Sequence, residues 1–245
     1  MKSQIFAAGL AALALSGAAF AAAMPDYITA AVADQTRPKD DRDADAIRAP
    51  AETLTFAGVK PGMTVAEMYP CGAYFSRMIA DVVGPTGKDI GFDNKGWKGC
   101  LAASQKAIAE GHTNFTVSDN EFGDFALSEP VDLFWITQNY HDLHIKKYGD
   151  VDMAKFNRHV FDSLKPGGTY FILDHQANGA LSDDDIAKLH RISKDQVIAE
   201  VTAAGFKFVG EGDFLHHPGD DHTLPIFDKS IRGQTDQYAL KFVKP

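Results

Sequence analysis

The sequence lacks the short motifs that mark several common enzyme classes. Its 245 residues contain no GxSxG nucleophile elbow, no phosphate-binding P-loop, and no HExxH or CxxC metal-binding frame. The first two absences argue against hydrolase and kinase functions. The third leaves the chain without a compact metal motif.

Basic residues are also scarce. Lys and Arg number 24 against 33 Asp and Glu, which gives a formal net charge of −9, and the Lys and Arg residues form no cluster. An acidic protein has no long-range attraction to nucleic acid or to anionic lipid. The composition therefore predicts neither of these as a partner and favours a small-molecule ligand.

Long apolar runs are absent beyond the N-terminus. There, Met1 and Lys2 precede an uncharged apolar run at 5–23 that ends in small residues. This order is typical of a secretory signal peptide, so we predict a cleaved signal at 1–23 and a periplasmic or secreted protein. A retained membrane anchor is the alternative, although the strongly apolar core is shorter than the ~20 residues of a spanning helix.

From residue 51 onward, strand and helix signals alternate, which predicts an α/β domain at 51–245 with a mostly parallel sheet and helices on both faces. The predicted strands are 64–68, 89–92, 114–117, 131–137, 169–174, 207–215 and 237–243. The predicted helices are 75–83, 100–110, 153–164 and 195–204. The charge-rich segment 24–50 is interpreted as a polar leader with a solvated face. Alternatively, it is a lid in which Arg37 or Arg42 contacts an anionic ligand.

Acidic residues end the first two predicted strands. Glu67 ends the first, a tight turn then opens a helix, and Asp93 ends the second. This layout is typical of a nucleotide-like cofactor site in a doubly wound sheet. Helix amides there face an anion, and the acids take ribose hydroxyls or a cationic group.

Three segments carry a resemblance to a known family: VKPGMTVAEMYPCGAYFSRMIADVVGPTGK, VDLFWITQNYHDLH and FNRHVFDSLKPGGTYFILDH. They resemble class I S-adenosylmethionine-dependent methyltransferases, in particular an exported bacterial branch of predicted methyltransferases. The resemblance covers roughly 50–245. It implies a seven-stranded Rossmann-like sheet whose last strand lies antiparallel beside the fifth, and S-adenosylmethionine as cofactor.

The resemblance also implies a set of cofactor-binding residues: Glu67, Gly72 and Asp93, with Asp119 near the adenine. In the family, an acid is followed by three alternating glycines, and here this pattern falls on Glu67, Tyr69, Cys71 and Ala73. All three glycines are therefore replaced. Glycine takes positive φ at little cost, whereas Tyr and Cys do not.

Polar residues follow the fourth and fifth predicted strands, where ligands of open α/β sheets bind. In the resembled family the end of strand four lies beside the transferred methyl group. This implies the following catalytic candidates: Asn139, Tyr140, His141, Asp142 and His144. A histidine oriented by a carboxylate suits proton removal, so His141 is the first choice of base and His144 the second, with Asp142 or Asp174 as the orienting group. The alternative is that these residues cap a helix or satisfy buried polar groups.

Two further features leave alternatives open. Cys71 and Cys100 are expected in loops at one edge of the sheet, either bridged across the pocket or as two inert thiols. The loop 216–223 contains three His and two Asp. It is a polar substrate-facing loop, a solvated turn, or a divalent-metal site, the last not favoured because the spacing matches no tight motif.

The leading hypothesis is therefore an S-adenosylmethionine-dependent methyltransferase acting on a small molecule. The alternative is an exported protein of the same fold that has lost methyl transfer and binds a ligand or metal in its His-rich pocket. A Cys71–Cys100 bridge or a Tyr69 ring filling the pocket would support the alternative. Convergence of His141, His144, His175 and His222 would favour a metal. The sequence does not predict an oligomeric state.

Overall fold

The computed structural model describes residues 24–245, and the predicted signal peptide at 1–23 lies outside them. The strands are β1 Thr64–Met68, β2 Lys88–Asn94, β3 Phe115–Asn120, β4 Val131–Thr137, β5 Leu164–His175, β6 Lys207–Gly212 and β7 Gln237–Val243. They form one sheet in the order β3-β2-β1-β4-β5-β7-β6. The strands β1 to β5 pair in parallel, and β7 runs antiparallel between β5 and β6. The predicted methyltransferase-like α/β sheet is confirmed.

Helices cover both faces of this sheet. They are α1 Asp26–Ala33, α2 Lys39–Asp43, α3 Asp45–Arg48, α4 Pro50–Ala57, α5 Tyr74–Val83, α6 Cys100–Ala109, α7 Met153–Ser163, α8 Asp183–Leu189 and α9 Lys194–Ala203. A short 3-10 helix, His141–His144, follows β4. None of the helices in the described part of the chain has the length and apolarity that crossing a bilayer requires.

Alternating side chains of β4 supply the two halves of the core. Phe134 packs with Tyr170 and Val160 on the face covered by α7 and α9, while Trp135 packs with Phe171 and Leu54 on the other face. Successive residues of a strand point to opposite faces, so a continuous apolar run serves both cores. This buried centre fixes the carboxyl ends of β1, β4 and β5 relative to one another.

Several boundaries differ from the predictions. The fifth strand begins at Leu164 rather than 169, with an irregularity in its pairing, because Val131 pairs with Leu164 while Leu133 pairs with Thr169. The sixth strand ends at Gly212 rather than 215. The leader contains the short helices α1 to α3, and α8 was not predicted.

The leader is fastened to α5 of the α/β core by one buried ion pair and one hydrogen bond. Arg37 pairs with Asp45 (Nη2–Oδ1, 2.7 Å), and the Tyr74 hydroxyl donates to the same carboxylate at 2.6 Å. Arg77 of α5 pairs with Asp41 at 3.1 Å. Since Arg37 and Arg77 are almost fully buried, these contacts place the leader against α5, and Arg37 is engaged within the leader itself.

Candidate active site

A cavity of about 450 Å³ lies at the carboxyl ends of β1, β4 and β5. Ile47 and Arg48 of the leader form one wall, and Phe227 and Arg232 from the loop before β7 form another. This is the edge at which open α/β sheets bind ligands, and the volume lies within the range of small-molecule sites. The cavity is therefore the candidate active site.

The loop after β1 has a left-handed backbone at three residues, two of which are not glycine. Tyr69 (φ 57°) and Ala73 (φ 59°) adopt left-handed conformations, as does Gly72 at φ 100°. The Tyr69 ring stacks on Phe122 with centroids 5.2 Å apart, and its hydroxyl accepts a hydrogen bond from the Gly123 amide at 2.8 Å. The ring is buried and forms part of the cavity wall.

Cys71 and Cys100 form a disulfide that ties this loop to the start of α6. Directly beside it, Asp93 Oδ1 accepts a hydrogen bond from the Cys71 amide at 3.1 Å. Burial raises the pKa of Asp93. The carboxylate is thus engaged in holding the loop, and it does not line the cavity.

Glu67, the acid that ends β1, does line the cavity. Its carboxylate accepts a hydrogen bond from Ser76 Oγ at 2.5 Å and is buried. Burial raises the pKa of Glu67 to about 7, and the negative charge of Asp93 acts in the same direction. Of the other two residues that the resemblance assigns to the cofactor, neither Gly72 nor the exposed Asp119 lines the cavity.

The cavity floor contains a buried histidine held by two carboxylates. His141 Nδ1 donates to Asp174 Oδ1 at 2.7 Å, and the His141 amide donates to Asp174 Oδ2 at 2.8 Å. His141 Nε2 lies 3.3 Å from Asp142 Oδ1, and Asn139 Nδ2 donates to Asp142 Oδ2 at 2.9 Å. Burial works to lower the pKa of His141, but the charges of Asp174 and Asp142 raise it to about 10.

The structure brings three of the five catalytic candidates together at the cavity: Asn139, His141 and Asp142. Tyr140 and His144 face away from it. Tyr140 donates to Glu200 at 2.9 Å inside the core, and His144 Nε2 lies 3.2 Å from the same glutamate. Both are therefore placed as structural neighbours of α9.

The four histidines considered together in the sequence do not converge. His175 approaches His141, with ring centroids 6.0 Å apart, and burial lowers its pKa to about 3, so it is neutral. His222 lies in the loop before β7, where Nε2 lies 2.9 Å from Asp236. A further pair, Arg191 with Asp220 at 2.8 Å, ties that loop to the segment between α8 and α9.

Many cavity residues have no counterpart among the sequence-predicted site residues, among them Arg48, Trp97 and His190. The Arg48 guanidinium lies 4.1 Å from the Tyr74 ring centroid and forms no ion pair with any residue of 24–245. His190 ends α8 in a left-handed conformation, φ 53°, with Nδ1 3.3 Å from Asp142 Oδ1. No local motif marked either residue, because both come from helix ends that reach the cavity only through the fold.

Backbone strain is concentrated at this site. Among residues 24–245, six non-glycine residues have positive φ, and three of these line the cavity: Tyr69, Gln138 and His190. Such conformations cost about 1–3 kcal/mol each and persist where surrounding contacts impose them. Gln138, for example, is held by a hydrogen bond from Nε2 to Gln237 at 2.7 Å.

The strand order is that of the seven-stranded, Rossmann-like methyltransferase fold. A methyltransferase from Aquifex aeolicus described as SAM-dependent is 15% identical, with a TM-score of 0.57 over 85% of this chain and 100% of that one. Fibrillarin from Aeropyrum pernix, solved with natively bound S-adenosyl-L-methionine, is 15% identical, with a TM-score of 0.55 over 82% and 76%. The cyclase SpnF is 15% identical, with a TM-score of 0.60 over 87% and 86%.

These similarities establish the fold. No protein-family model matches the chain, and a search of curated proteins finds no match either. The cyclase among the structural neighbours shows that the fold carries more than one chemistry. Function must therefore be argued from the residues of the cavity.

Proposed function

We propose that the protein is an S-adenosylmethionine-dependent methyltransferase acting on a small molecule. The observation that carries this proposal is the cavity at the carboxyl ends of β1 and β4, with Glu67 on one side and His141 on its floor. In the fold it shares with its neighbours, this is the edge at which ligands bind. The predicted export to the periplasm remains part of the proposal.

The cavity fits the cofactor in volume, charge and surface. The Arg48 guanidinium is free to pair with a carboxylate, the rings of Tyr69 and Trp97 offer a stacking surface, and Glu67 is an acid beside them. We therefore assign these four residues to hold it. The assignment of Asp93 to the cofactor stays a prediction, and its Oδ1 holds the Cys71 loop.

When bound, S-adenosylmethionine supplies an electrophilic methyl group. The protein's part is to align the acceptor and to handle the proton that its nucleophile loses. The cluster around His141 suits the second task once the ring has lost its own proton, because Asp174 fixes the ring so that Nε2 faces Asp142 at the cavity. Asn139 in turn fixes the orientation of Asp142.

Calorimetric titration of the protein with S-adenosylmethionine and with sinefungin tests the proposal. We expect micromolar binding that Arg48→Met weakens at least tenfold, about 1.4 kcal/mol, because the ligand's carboxylate loses its cationic partner. Arg158→Met is the matched control, since Arg158 lies on the exposed face of α7 and pairs with Asp162. Absence of binding with the disulfide intact and after reduction would overturn the proposal.

A second candidate function is ligand or metal binding without methyl transfer. The Cys71–Cys100 bridge and the Tyr69 ring support it, because they fill the loop that glycines leave open in the resembled family. Cofactor binding restored only by reduction, or by Tyr69→Gly, would favour this candidate over the enzyme.

A further inference from the structure

Three potential metal-ligating side chains converge on the cavity floor. Asp142 Oδ1 lies 3.3 Å from His141 Nε2 and 3.3 Å from His190 Nδ1. All three donor atoms lie within 4.8 Å of one another, and all three residues are buried and line the cavity. Two imidazoles and a carboxylate thus lie close together, two from the 3-10 helix after β4 and one from the end of α8.

The central oxygen of this group lacks a donor. Asp142 Oδ1 is buried and accepts no hydrogen bond, although two imidazole nitrogens lie close to it. Leaving a buried polar atom unpaired costs about 1–3 kcal/mol, and more for a charged one. A cation between the oxygen and the two nitrogens would remove this cost.

The group also has the outer contacts that orient metal ligands. His141 donates Nδ1–H to Asp174, so Nε2 is the nitrogen that faces Asp142, and a bound metal ion would replace the proton on it. Asn139 Nδ2 holds the other oxygen of Asp142. A carboxylate on the far nitrogen of a histidine is the usual second contact of metal-bound imidazole.

His190 is held in place at a conformational cost. Its backbone is left-handed, which costs a non-glycine residue about 1–2 kcal/mol. Its ring is fixed edge-on against Phe227, with centroids 4.9 Å apart. The surrounding loop thus maintains a strained residue so that Nδ1 faces Asp142.

We propose that His141 Nε2, Asp142 Oδ1 and His190 Nδ1 bind one divalent transition-metal ion such as Zn²⁺. In a tetrahedral site with bonds of about 2.0–2.1 Å, neighbouring ligand atoms lie ~3.3 Å apart, which agrees with both measured separations. Three protein ligands leave a position open toward the cavity, as in catalytic zinc sites. The metal site stands independently of methyl transfer. Its task, polarising an oxygen of the acceptor, rests on the proposed function.

Metal titration of the chelator-treated full chain tests the site. We expect one Zn²⁺ per chain by calorimetry, and with Co²⁺ the visible absorption of a low-coordinate site with nitrogen ligands. Asp142→Asn and His190→Gln should each lower affinity by about 100-fold or more. Asp174→Asn, which removes only an outer contact, should lower it by about 10–100-fold.

His216→Gln is the matched control, because it removes an exposed imidazole from the other His-rich segment. Its affinity should equal that of the unaltered protein. Failure of the unaltered chain to bind Zn²⁺ or Co²⁺ would overturn the site, as would binding unchanged in both Asp142→Asn and His190→Gln. Circular dichroism verifies the fold of each variant. Titration with S-adenosylmethionine in the presence of chelator tests the proposed function without the metal. Cofactor binding without metal binding would overturn only the metal site, and metal binding without cofactor binding would overturn only the proposed function.

Discussion

Tyr69 occupies a backbone position that ordinarily favours glycine. At φ 57° a side chain costs about 1–2 kcal/mol relative to the right-handed region. The ring is buried, stacked on Phe122 and close to Trp97. Its packing contributes more stability than the backbone strain removes, because deleting a buried aromatic side chain costs about 3–5 kcal/mol. Packing therefore outweighs strain at this residue.

Tyr69→Gly should accordingly lower the free energy of unfolding by about 2–3 kcal/mol. Urea denaturation measures this. Ala73→Gly is the control, because it removes the same kind of strain at φ 59° with only a methyl group lost, and its change should stay within about 1 kcal/mol. A Tyr69→Gly variant as stable as the original would show that the ring contributes little.

Glu67 makes stability depend on pH. Burial raises the pKa of Glu67 from 4.5 to about 7. Between these values the folded protein binds more protons than the unfolded chain, so the free energy of unfolding falls as pH rises from about 4.5 to 7. We expect Glu67 to account for about 2–3 kcal/mol of this fall.

Urea denaturation of the original protein and Glu67→Gln across this pH range measures that share. The variant should lose less stability with rising pH, although burial also raises the pKa of neighbouring Asp89 and leaves it part of the slope. Glu129→Gln, on the exposed surface beside Lys88, should retain the full slope. Equal slopes in the original protein and Glu67→Gln would contradict the assignment.

At the scale of elements, the disulfide joins the β1–α5 loop to α6 across 29 residues of chain. Closing a loop of that length removes conformational entropy from the unfolded state worth about 3–4 kcal/mol. The double variant Cys71→Ala, Cys100→Ala should lose about this much stability in thermal or urea unfolding. Reductant should reproduce the loss in the original protein and have no further effect on the variant. An equally stable double variant would show that packing alone holds the loop.

The elements differ in how far the sequence predicts them. The bounds of β1, β4 and β7 agree with the apolar pattern, and α5, α6, α7 and α9 agree to within a residue at each end. Their signals are local: apolar runs, turns and caps, including Ser193, which caps α9 by accepting from the Gln196 amide. The helix α1 packs through Ile28 and Ala31 against the apolar core, and α2 is paired through Asp41 with Arg77 of α5. Contacts with such distant residues are revealed by no local pattern.

The same distinction holds for the site. Asn139, His141 and Asp142 follow a recognisable buried strand, so their place at the sheet edge could be inferred. Arg48 and His190 reach the cavity from helix ends far along the chain. The sequence left open whether Cys71 and Cys100 are bridged or are two separate thiols. Only the distance between the loops after β1 and β2 distinguishes the two, and in the structure they are bridged.

At the scale of the whole molecule, the leader and the α/β core share one wall of the cavity. Asp45 holds this junction by accepting from both Arg37 and Tyr74. Asp45→Ala leaves Arg37 buried without its partner, which costs about 3–5 kcal/mol for a buried ion pair. We expect the leader to loosen and the wall formed by Ile47 and Arg48 to be lost.

Limited trypsin digestion should then cleave Asp45→Ala within 37–48 faster than the original protein, and ligand binding should weaken in parallel. Asp43→Ala is the control, because its pair with Lys39 is exposed and worth at most about 1 kcal/mol. Unchanged digestion of Asp45→Ala would show that the leader is held by its apolar contacts instead.

At the left-handed residues of the cavity, selection for stability and selection for ligand binding should favour different side chains. A library screened only for heat resistance should favour glycine wherever the side chain adds little packing, and Gln138 is the first such position. A library screened for ligand capture should retain the side chains of Tyr69, Gln138 and His190 despite their strained backbones. Positions where the first screen selects glycine and the second retains the original side chain would be those at which ligand binding requires a residue that lowers stability.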